Sequence, residues 1–146
     1  LSNDIKAANI IMKSDIELWQ VPSNVYSRMI TSFAELQERV YPYGKVGRYL
    51  FEQMVEFNME LTKATAGLNI DWPKGESWSL GDSPVVGLML DPHDYAWTMR
   101  EAPTIDENMK YHFDGNGRHI RDYNDMDSRF ILEDMFAKLK INYGKR

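Results

Sequence analysis

The sequence contains no cysteine among its 146 residues. This absence excludes disulfide bonds, thiolate zinc sites and cysteine nucleophiles, and it fits a reducing compartment, so the expected location is the cytoplasm. Long apolar runs are missing too, since none approaches the ~20 residues that a membrane-spanning helix needs. We therefore expect no membrane partner.

Positive charge is scarce as well. The chain has 17 Lys and Arg residues against 22 Asp and Glu residues, and the basic residues form no cluster. Binding to a nucleic acid backbone requires a basic face, so we expect no nucleic acid partner. With 43% hydrophobic and 27% charged residues, the composition is that of a folded globular protein, and the length suits a single domain.

The first part of the chain alternates helical and extended patterns. N-cap residue types followed by apolar residues at helical spacing predict a helix over 4–13. The run 16–22, IELWQVP, predicts a short buried strand ended by Pro22. Ser32 and Glu35 have the spacing of a capping box, which predicts the start of the next helix. A helix followed by a strand indicates an α/β protein.

The middle of the chain contains the longest predicted helix. It begins near Lys45, and Gly67 is the expected C-cap. The polar run that follows, 69–79, is rich in Pro, Gly, Ser and Asn, which predicts a surface loop.

The last part predicts strands and a final helix. Alternating aromatic residues near 95–99 and 109–113, with the turn sequence DGNG at 114–117, predict a late hairpin that extends over 109–123. Asp127 or Ser128 is expected to cap the last helix. The apolar residues of that helix that share its inward face are Ile131, Leu132, Met135, Phe136 and Leu139.

The stretch 77–90, SWSLGDSPVVGLML, places Asp82 directly before a short apolar helix that begins at Pro84. We expect this helix to be buried on most sides. Asp82 has two interpretations. Its carboxylate can cap the helix, or it can bind a hard cation or a sugar in a cleft at the end of a loop, where α/β proteins place ligands.

Other residues are weaker candidates. The acidic run 122–127, DYNDMD, lacks the glycine and the distal glutamate of an EF-hand loop, so turn and cap roles are favoured over metal binding. His93, His112 and His119 have no metal-ligand spacing. Trp72 and Trp78 are core candidates, but both lie in the predicted loop and could stack on a planar ligand.

Nearly the whole chain resembles the C-terminal half of the inosine-uridine-preferring nucleoside hydrolase family. The run LSNDIKAANIIMKSDIELWQVP is similar to the family's segment of helix and strand, and LGDSPVVGLMLDPHDY is similar to its late motif, the more specific of the two. The last strands and DSRFILEDMFAKL fit the end of the family.

This resemblance implies a fold and a role for Asp82. The implied fold is the C-terminal part of a doubly wound, Rossmann-like mixed sheet with flanking helices and a late β-hairpin. The implied function is hydrolysis of the N-glycosidic bond of a ribonucleoside to ribose and free base. Asp82 matches a family aspartate that binds calcium and faces the ribose hydroxyls, so calcium is the implied cofactor.

The sequence differs from the family that it resembles in two respects. Many members have a His or Trp that assists the leaving base just before this aspartate, whereas this chain has Gly81. Trp78, Trp72 and His93 are the candidates for that role. The family's aspartate-rich motif, which supplies the general base and most calcium ligands, is not found in these residues.

We therefore expect an incomplete nucleoside hydrolase domain whose partner is the missing N-terminal half or a second copy of the chain. Alone, the fragment is expected to be inactive, because a single carboxylate makes neither a calcium site nor a general base. Two alternatives are open. One is a noncatalytic module that binds a nucleoside or a sugar, and the other is an assembly module that uses the 109–123 hairpin as its contact.

Overall fold

The structure is a computed structural model, and it describes residues 3–64, 66, 75–91 and 95–144. The helices in this part of the chain are α1 (Ile5–Lys13), α2 (Ser23–Tyr26), α3 (Phe33–Arg39), α4 (Gly44–Ala64), α5 (Pro84–Leu90) and α6 (Ser128–Tyr143). The strands are β1 (Trp19–Gln20), β2 (Ile30–Ser32), β3 (Ser77–Ser79), β4 (Trp97–Glu101), β5 (Thr104–Ile105), β6 (Tyr111–His112) and β7 (His119–Tyr123). The predicted α/β class is confirmed. Across the described ranges, no helix combines the length and apolar character needed to cross a bilayer.

The chain divides into two compact units. The first unit comprises Leu1–Pro22 and His93–Met126, and the second comprises Ser23–Pro92 and Asp127–Arg146.

The first unit contains a sheet with β7 at its centre. β7 pairs in parallel with β1 and antiparallel with β4, so the strand order is β1-β7-β4. Because successive side chains point to opposite faces, Ile120 and Asp122 share one face while Arg121 and Tyr123 share the other. One buried apolar cluster of this unit consists of Met12, Ala102, Ile105 and Ile120.

Arg121 lies between two tryptophans in this sheet. Its guanidinium carbon is 4.2 Å from the ring centre of Trp19 and 4.3 Å from that of Trp97. Both distances are within the range of a cation–π contact, so Arg121 holds the two outer strands against the central one. Trp19 and Trp97 nevertheless remain part exposed.

In the second unit, helices pack around the short β2–β3 ladder. The buried cluster of this unit consists of Leu36, Val40, Trp78, Phe136 and Leu139. Arg39 on α3 donates to both carboxylate oxygens of Glu133 on α6, each at 2.6 Å. The Arg39 guanidinium carbon also lies 4.2 Å from the ring centre of Phe136. This bidentate pair fixes α3 against α6.

The structure confirms the locally encoded predictions. Ser32 and Glu35 form both hydrogen bonds of the capping box, and the Asp127 carboxylate accepts from the Phe130 backbone N–H at 2.8 Å. The inward face predicted for α6 is also correct, because Ile131, Phe136 and Leu139 are buried while Leu132 and Met135 pack beside them. The Gly67 cap lies outside the described residues.

The predicted 109–123 hairpin is wrong. β6 pairs with β5, and β7 pairs with β4, so the strands on either side of DGNG do not pair with each other. The turn between β5 and β6 is closed by Asp106, whose carboxylate accepts from the backbone N–H groups of Asn108 and Lys110, each at 2.9 Å. An aspartate side chain can close a turn in this way. We predicted the turn at DGNG because that run has stronger turn residues than the segment after Asp106.

Two further predictions need correction. Residues 77–79, predicted within a loop, form β3, because β2 is available to pair with them. Helix α5 is not buried on most sides: Pro84, Gly87 and Leu88 are buried, whereas Val85 and Met89 are exposed. A short helix that packs on one side buries only the residues on that side, even when its other residues are apolar.

Candidate functional site at Asp82

Strand pairing in the second unit positions the segment that contains Asp82. Trp78 lies opposite Thr31 in the β2–β3 ladder, and the Leu80 N–H donates to the Met29 carbonyl at 2.7 Å. Val25 and Met29 are fully buried, which fixes the chain just before β2. The residues after β3 are therefore held beside α2, although some 50 residues separate the two along the sequence.

A cavity of about 390 Å³ opens at this place. Its lining residues are Tyr26, Trp78, Ser79, Leu80, Gly81, Asp82 and Ser83. The volume is within the range of about 300–1,000 Å³ that small-molecule sites have. Aromatic rings, hydroxyls and one carboxylate together line a space that suits a polar ligand with a planar part.

Asp82 is exposed and does not cap α5. The N-cap of α5 is Ser83, and no side chain makes a capping hydrogen bond there. Pro84 begins the helix, and because proline presets the helical φ and has no N–H to satisfy, α5 starts without a side-chain cap. The cap interpretation of Asp82 is wrong, and its carboxylate makes no hydrogen bond or ion pair within the described part of the chain.

Trp78 lines the cavity but belongs mainly to the core. Only 8% of its surface is exposed, and its ring meets the Phe57 ring edge-on at 5.5 Å between centres. A ring that is buried to this extent forms part of the cavity lining but has little free face on which a ligand can stack. The other two candidates for contact with a leaving base, Trp72 and His93, lie outside the described residues.

Tyr26 is the site residue that sequence reasoning missed. Its ring is half-buried, lines the cavity and lies directly against Gly81. The proximity depends on the β2–β3 pairing, which the sequence did not predict. The signal that could have indicated it is Gly81 itself, since a glycine can mark a place where another part of the chain closely approaches the backbone.

Calcium would find only part of its ligands here. Asp82 has the right donor chemistry, but calcium takes 6–8 oxygen ligands. In the ranges that the structure describes, no group of three or more acidic or histidine side chains is placed to hold a metal ion. In the run 122–127, Asp127 caps α6 and Asp122 pairs with Arg100.

Asp122 is a second unusual carboxylate, in the first unit. Its Oδ2 forms an ion pair with Arg100 Nε at 3.0 Å, while its buried Oδ1 has no hydrogen-bond partner among the described residues. Burial raises the pKa of Asp122, and the nearby Arg100 charge opposes that shift only in part. Asp122 lines a cavity of about 80 Å³ together with Gln20 and Tyr111.

The histidines that the structure describes have surface roles. His112 Nε2 lies 2.8 Å from Asp106 Oδ2, and this contact holds the pKa of the Asp106 carboxyl below its usual value. His119 Nδ1 lies 3.1 Å from the Gly117 carbonyl oxygen. Neither histidine lines the cavity beside Asp82.

Comparison of the chain with models of protein families, with curated proteins and with solved structures gives no match.

Proposed function

We propose that this chain is the C-terminal part of a calcium-dependent ribonucleoside hydrolase that cleaves the N-glycosidic bond to give ribose and free base. The doubly wound sheet of that family and a cytoplasmic location belong to the same proposal. The motif LGDSPVVGLMLDPHDY, which resembles the family's late motif, is its starting point.

The observation that carries the proposal is the state of Asp82. This carboxylate is exposed, lines a cavity of about 390 Å³ and makes no hydrogen bond or ion pair within the described residues. An acidic residue that directly precedes a helix usually caps it. Asp82 does not, so its carboxylate is available for a cation and for the hydroxyl groups of a sugar.

In the proposed site, Asp82 contributes one carboxylate to a calcium ion and accepts hydrogen bonds from ribose hydroxyls. The remaining ligands would come from sequence outside this chain. Calcium, when bound, supplies positive charge that lowers the pKa of a coordinated water. Ser79 and Ser83 add hydroxyl groups to the cavity wall, and Leu80 gives it an apolar part.

The test is hydrolysis of inosine and uridine by the full-length gene product that contains this chain. Activity is measured with calcium, after calcium chelation, and in Asp82→Ala. We expect chelation to abolish hydrolysis and Asp82→Ala to lower kcat/KM by about 100-fold or more, because even loss of a residue that only supports a metal ligand costs 10–100-fold.

The matched control is Asp114→Ala, which removes another exposed aspartate and should leave kcat/KM unchanged. Hydrolysis that survives chelation and Asp82→Ala would refute the proposed role of Asp82. Nucleoside binding without hydrolysis would instead support the noncatalytic binding module.

The assembly alternative, expected to use a 109–123 hairpin that does not form, is favoured at another place, strand β4. β4 pairs with β7 along one edge, and along its other edge no strand among the described residues pairs with it. An unpaired strand edge is a template for pairing with another chain. β4 belongs to the first unit and the Asp82 cavity to the second, so strand pairing at β4 uses none of the residues that line the cavity.

A further inference from the structure

We infer that Tyr26 is the aromatic residue that contacts the base of a nucleoside bound at Asp82. This inference rests on the proposed function for the identity of the ligand, and on the cavity geometry for the identity of the residue. It assigns to Tyr26 the contact for which Trp78, Trp72 and His93 were the candidates in the sequence.

The surroundings of Tyr26 leave its side chain available. The ring is half-buried, and its hydroxyl makes no hydrogen bond to any other described residue. Tyr26 ends α2, where the adjacent Val25 is only 1% exposed, so the backbone that carries the ring is anchored while the ring itself lines the cavity. Trp78, by contrast, is committed to the core cluster.

Gly81 and Tyr26 are matched to each other. A Cβ atom added at Gly81 would lie 3.0 Å from Tyr26 Cδ2 and 3.4 Å from Cε2. Both distances are shorter than comfortable contact between carbon atoms, which is about 3.5–4.0 Å. A side chain at position 81 would therefore require the Tyr26 ring to shift by a few tenths of an ångström. With glycine there, the ring packs directly against the backbone next to Asp82.

The Tyr26 ring lies beside Gly81, the residue that directly precedes Asp82. Consecutive Cα atoms are 3.8 Å apart, so a ring packed on Gly81 lies within one residue of the carboxylate proposed to hold the ribose. A nucleoside joins its sugar directly to its base. With the sugar at Asp82, the attached base would reach the Tyr26 ring inside the same cavity.

The chemistry of tyrosine suits both classes of base. Purines and pyrimidines both have planar faces, so stacking on a tyrosine ring tolerates either of them. The phenol hydroxyl adds one donor and one acceptor for polar atoms of the base. We therefore expect Tyr26 to contribute to the binding of inosine and of uridine, and not to the binding of ribose alone.

The test is calorimetric titration of the full-length protein with inosine, uridine and ribose. Tyr26→Ala should weaken binding of both nucleosides by roughly 5- to 100-fold, the range that stacking of a base on an aromatic ring provides. Ribose binding should not change. Tyr26→Phe, which keeps the ring, should bind nucleosides within a few-fold of the wild-type protein.

Gly81→Ala provides a second variant that leaves Tyr26 in place. The added methyl group should shift the ring by a few tenths of an ångström. We expect this shift to weaken nucleoside binding in the same direction as Tyr26→Ala but to a smaller extent, so the inference can be tested even if Tyr26→Ala does not fold. Tyr49→Ala is the control, because Tyr49 is exposed on α4 and does not line the cavity.

Each outcome decides one of the two proposals. Nucleoside binding that is absent, or that is unchanged in Tyr26→Ala and Gly81→Ala, would overturn the role of Tyr26. If the wild-type protein and Tyr26→Ala hydrolyse inosine equally well, the hydrolase proposal stands and the Tyr26 inference fails. If binding depends on Tyr26 but no hydrolysis occurs with calcium present, the inference stands and the hydrolase proposal fails.

Discussion

Asn9 acts as a strand partner with a single side chain. From helix α1, its Nδ2 donates to the Ile105 carbonyl at 2.8 Å, and its Oδ1 accepts from the Ile105 N–H at 2.8 Å. These two bonds copy the exchange between paired residues of antiparallel strands. They also satisfy the backbone N–H and carbonyl groups of Ile105, a residue of the short strand β5 whose side chain is buried.

We predict that Asn9→Ala destabilises the protein by about 1–3 kcal/mol, since it leaves a part-buried donor and acceptor without partners. Urea unfolding measures the change. Asn142→Ala is the control, because the Asn142 amide bonds a helical carbonyl at an exposed site. Equal stability losses in the two variants would show that the bonds to Ile105 contribute nothing special.

At the candidate site, the sequence identifies single residues better than their surroundings. Asp82 could be selected because its motif is local and resembles a known one, but whether it caps α5 depends on backbone geometry that Ser83 and Pro84 determine. Tyr26 could not be selected, because its contact with Gly81 joins residues far apart in sequence. The residues around Gly81 in the sequence do not indicate that the Tyr26 ring will pack against it.

Helices α3 and α6 are connected by an ion pair that depends on pH. Hydrogen bonds from Arg39 hold the pKa of the Glu133 carboxyl below its ordinary value of 4.5, and the reciprocal bond raises the pKa of Arg39. A carboxyl whose pKa is lower in the folded state stabilises the fold above its unfolded pKa. That contribution is lost as the pH falls through the folded pKa.

We therefore predict that Glu133→Gln is less stable than the wild-type protein at neutral pH, and that the difference disappears at pH values below the folded pKa of Glu133. Urea unfolding at a series of pH values, from about pH 7 down through the acid range where carboxylates titrate, measures both. Because Glu133 is largely exposed, the effect at neutral pH should be modest.

Glu60→Gln is the control for this pair, since Glu60 is exposed on α4 and forms no ion pair within the described ranges. Its stability should follow that of the wild-type protein across the same series of pH values. A deficit in Glu133→Gln that is the same at acidic and neutral pH would contradict the role of the Arg39 pair.

Elements were predicted well where their signals are local. The capping box at Ser32 and the cap at Asp127 use neighbours three residues away, and both are present. β3 was missed because three residues in a polar region become a strand only when β2 lies beside them. The hairpin over 109–123 failed for the same reason, since the partner of β7 is β4.

At the scale of the whole molecule, the chain divides into two compact units. The single domain expected from the length stays a prediction. In the first unit, the exposed edge of β4 is the feature that bears on assembly. Its residues from Trp97 to Arg100 are exposed, so side chains on both faces of this strand reach solvent.

We predict that this chain associates through β4 and that light scattering after gel filtration gives at least twice the 17.1 kDa mass of one chain. Met99→Lys should reduce the mass to that of one chain, because a charge on an edge strand opposes edge-to-edge pairing. Met99 and Met59 are exposed to a similar extent, 55% and 56%, so Met59→Lys on α4 is the matched control.

The control should keep the mass of the wild-type assembly. A wild-type chain that elutes as a single copy at every concentration would contradict association through β4, and loss of assembly in both lysine variants would place the contact elsewhere.

The arrangement of Trp19, Arg121 and Trp97 has an optical consequence. These two indoles are part exposed in the first unit, whereas Trp78 is buried in the second. A buried indole emits at shorter wavelength than one that contacts water. With Trp72 replaced by phenylalanine, the blue edge of the emission spectrum would follow the second unit and the red edge would follow the first. The chain therefore carries intrinsic fluorophores that can report whether its two units melt together or one after the other.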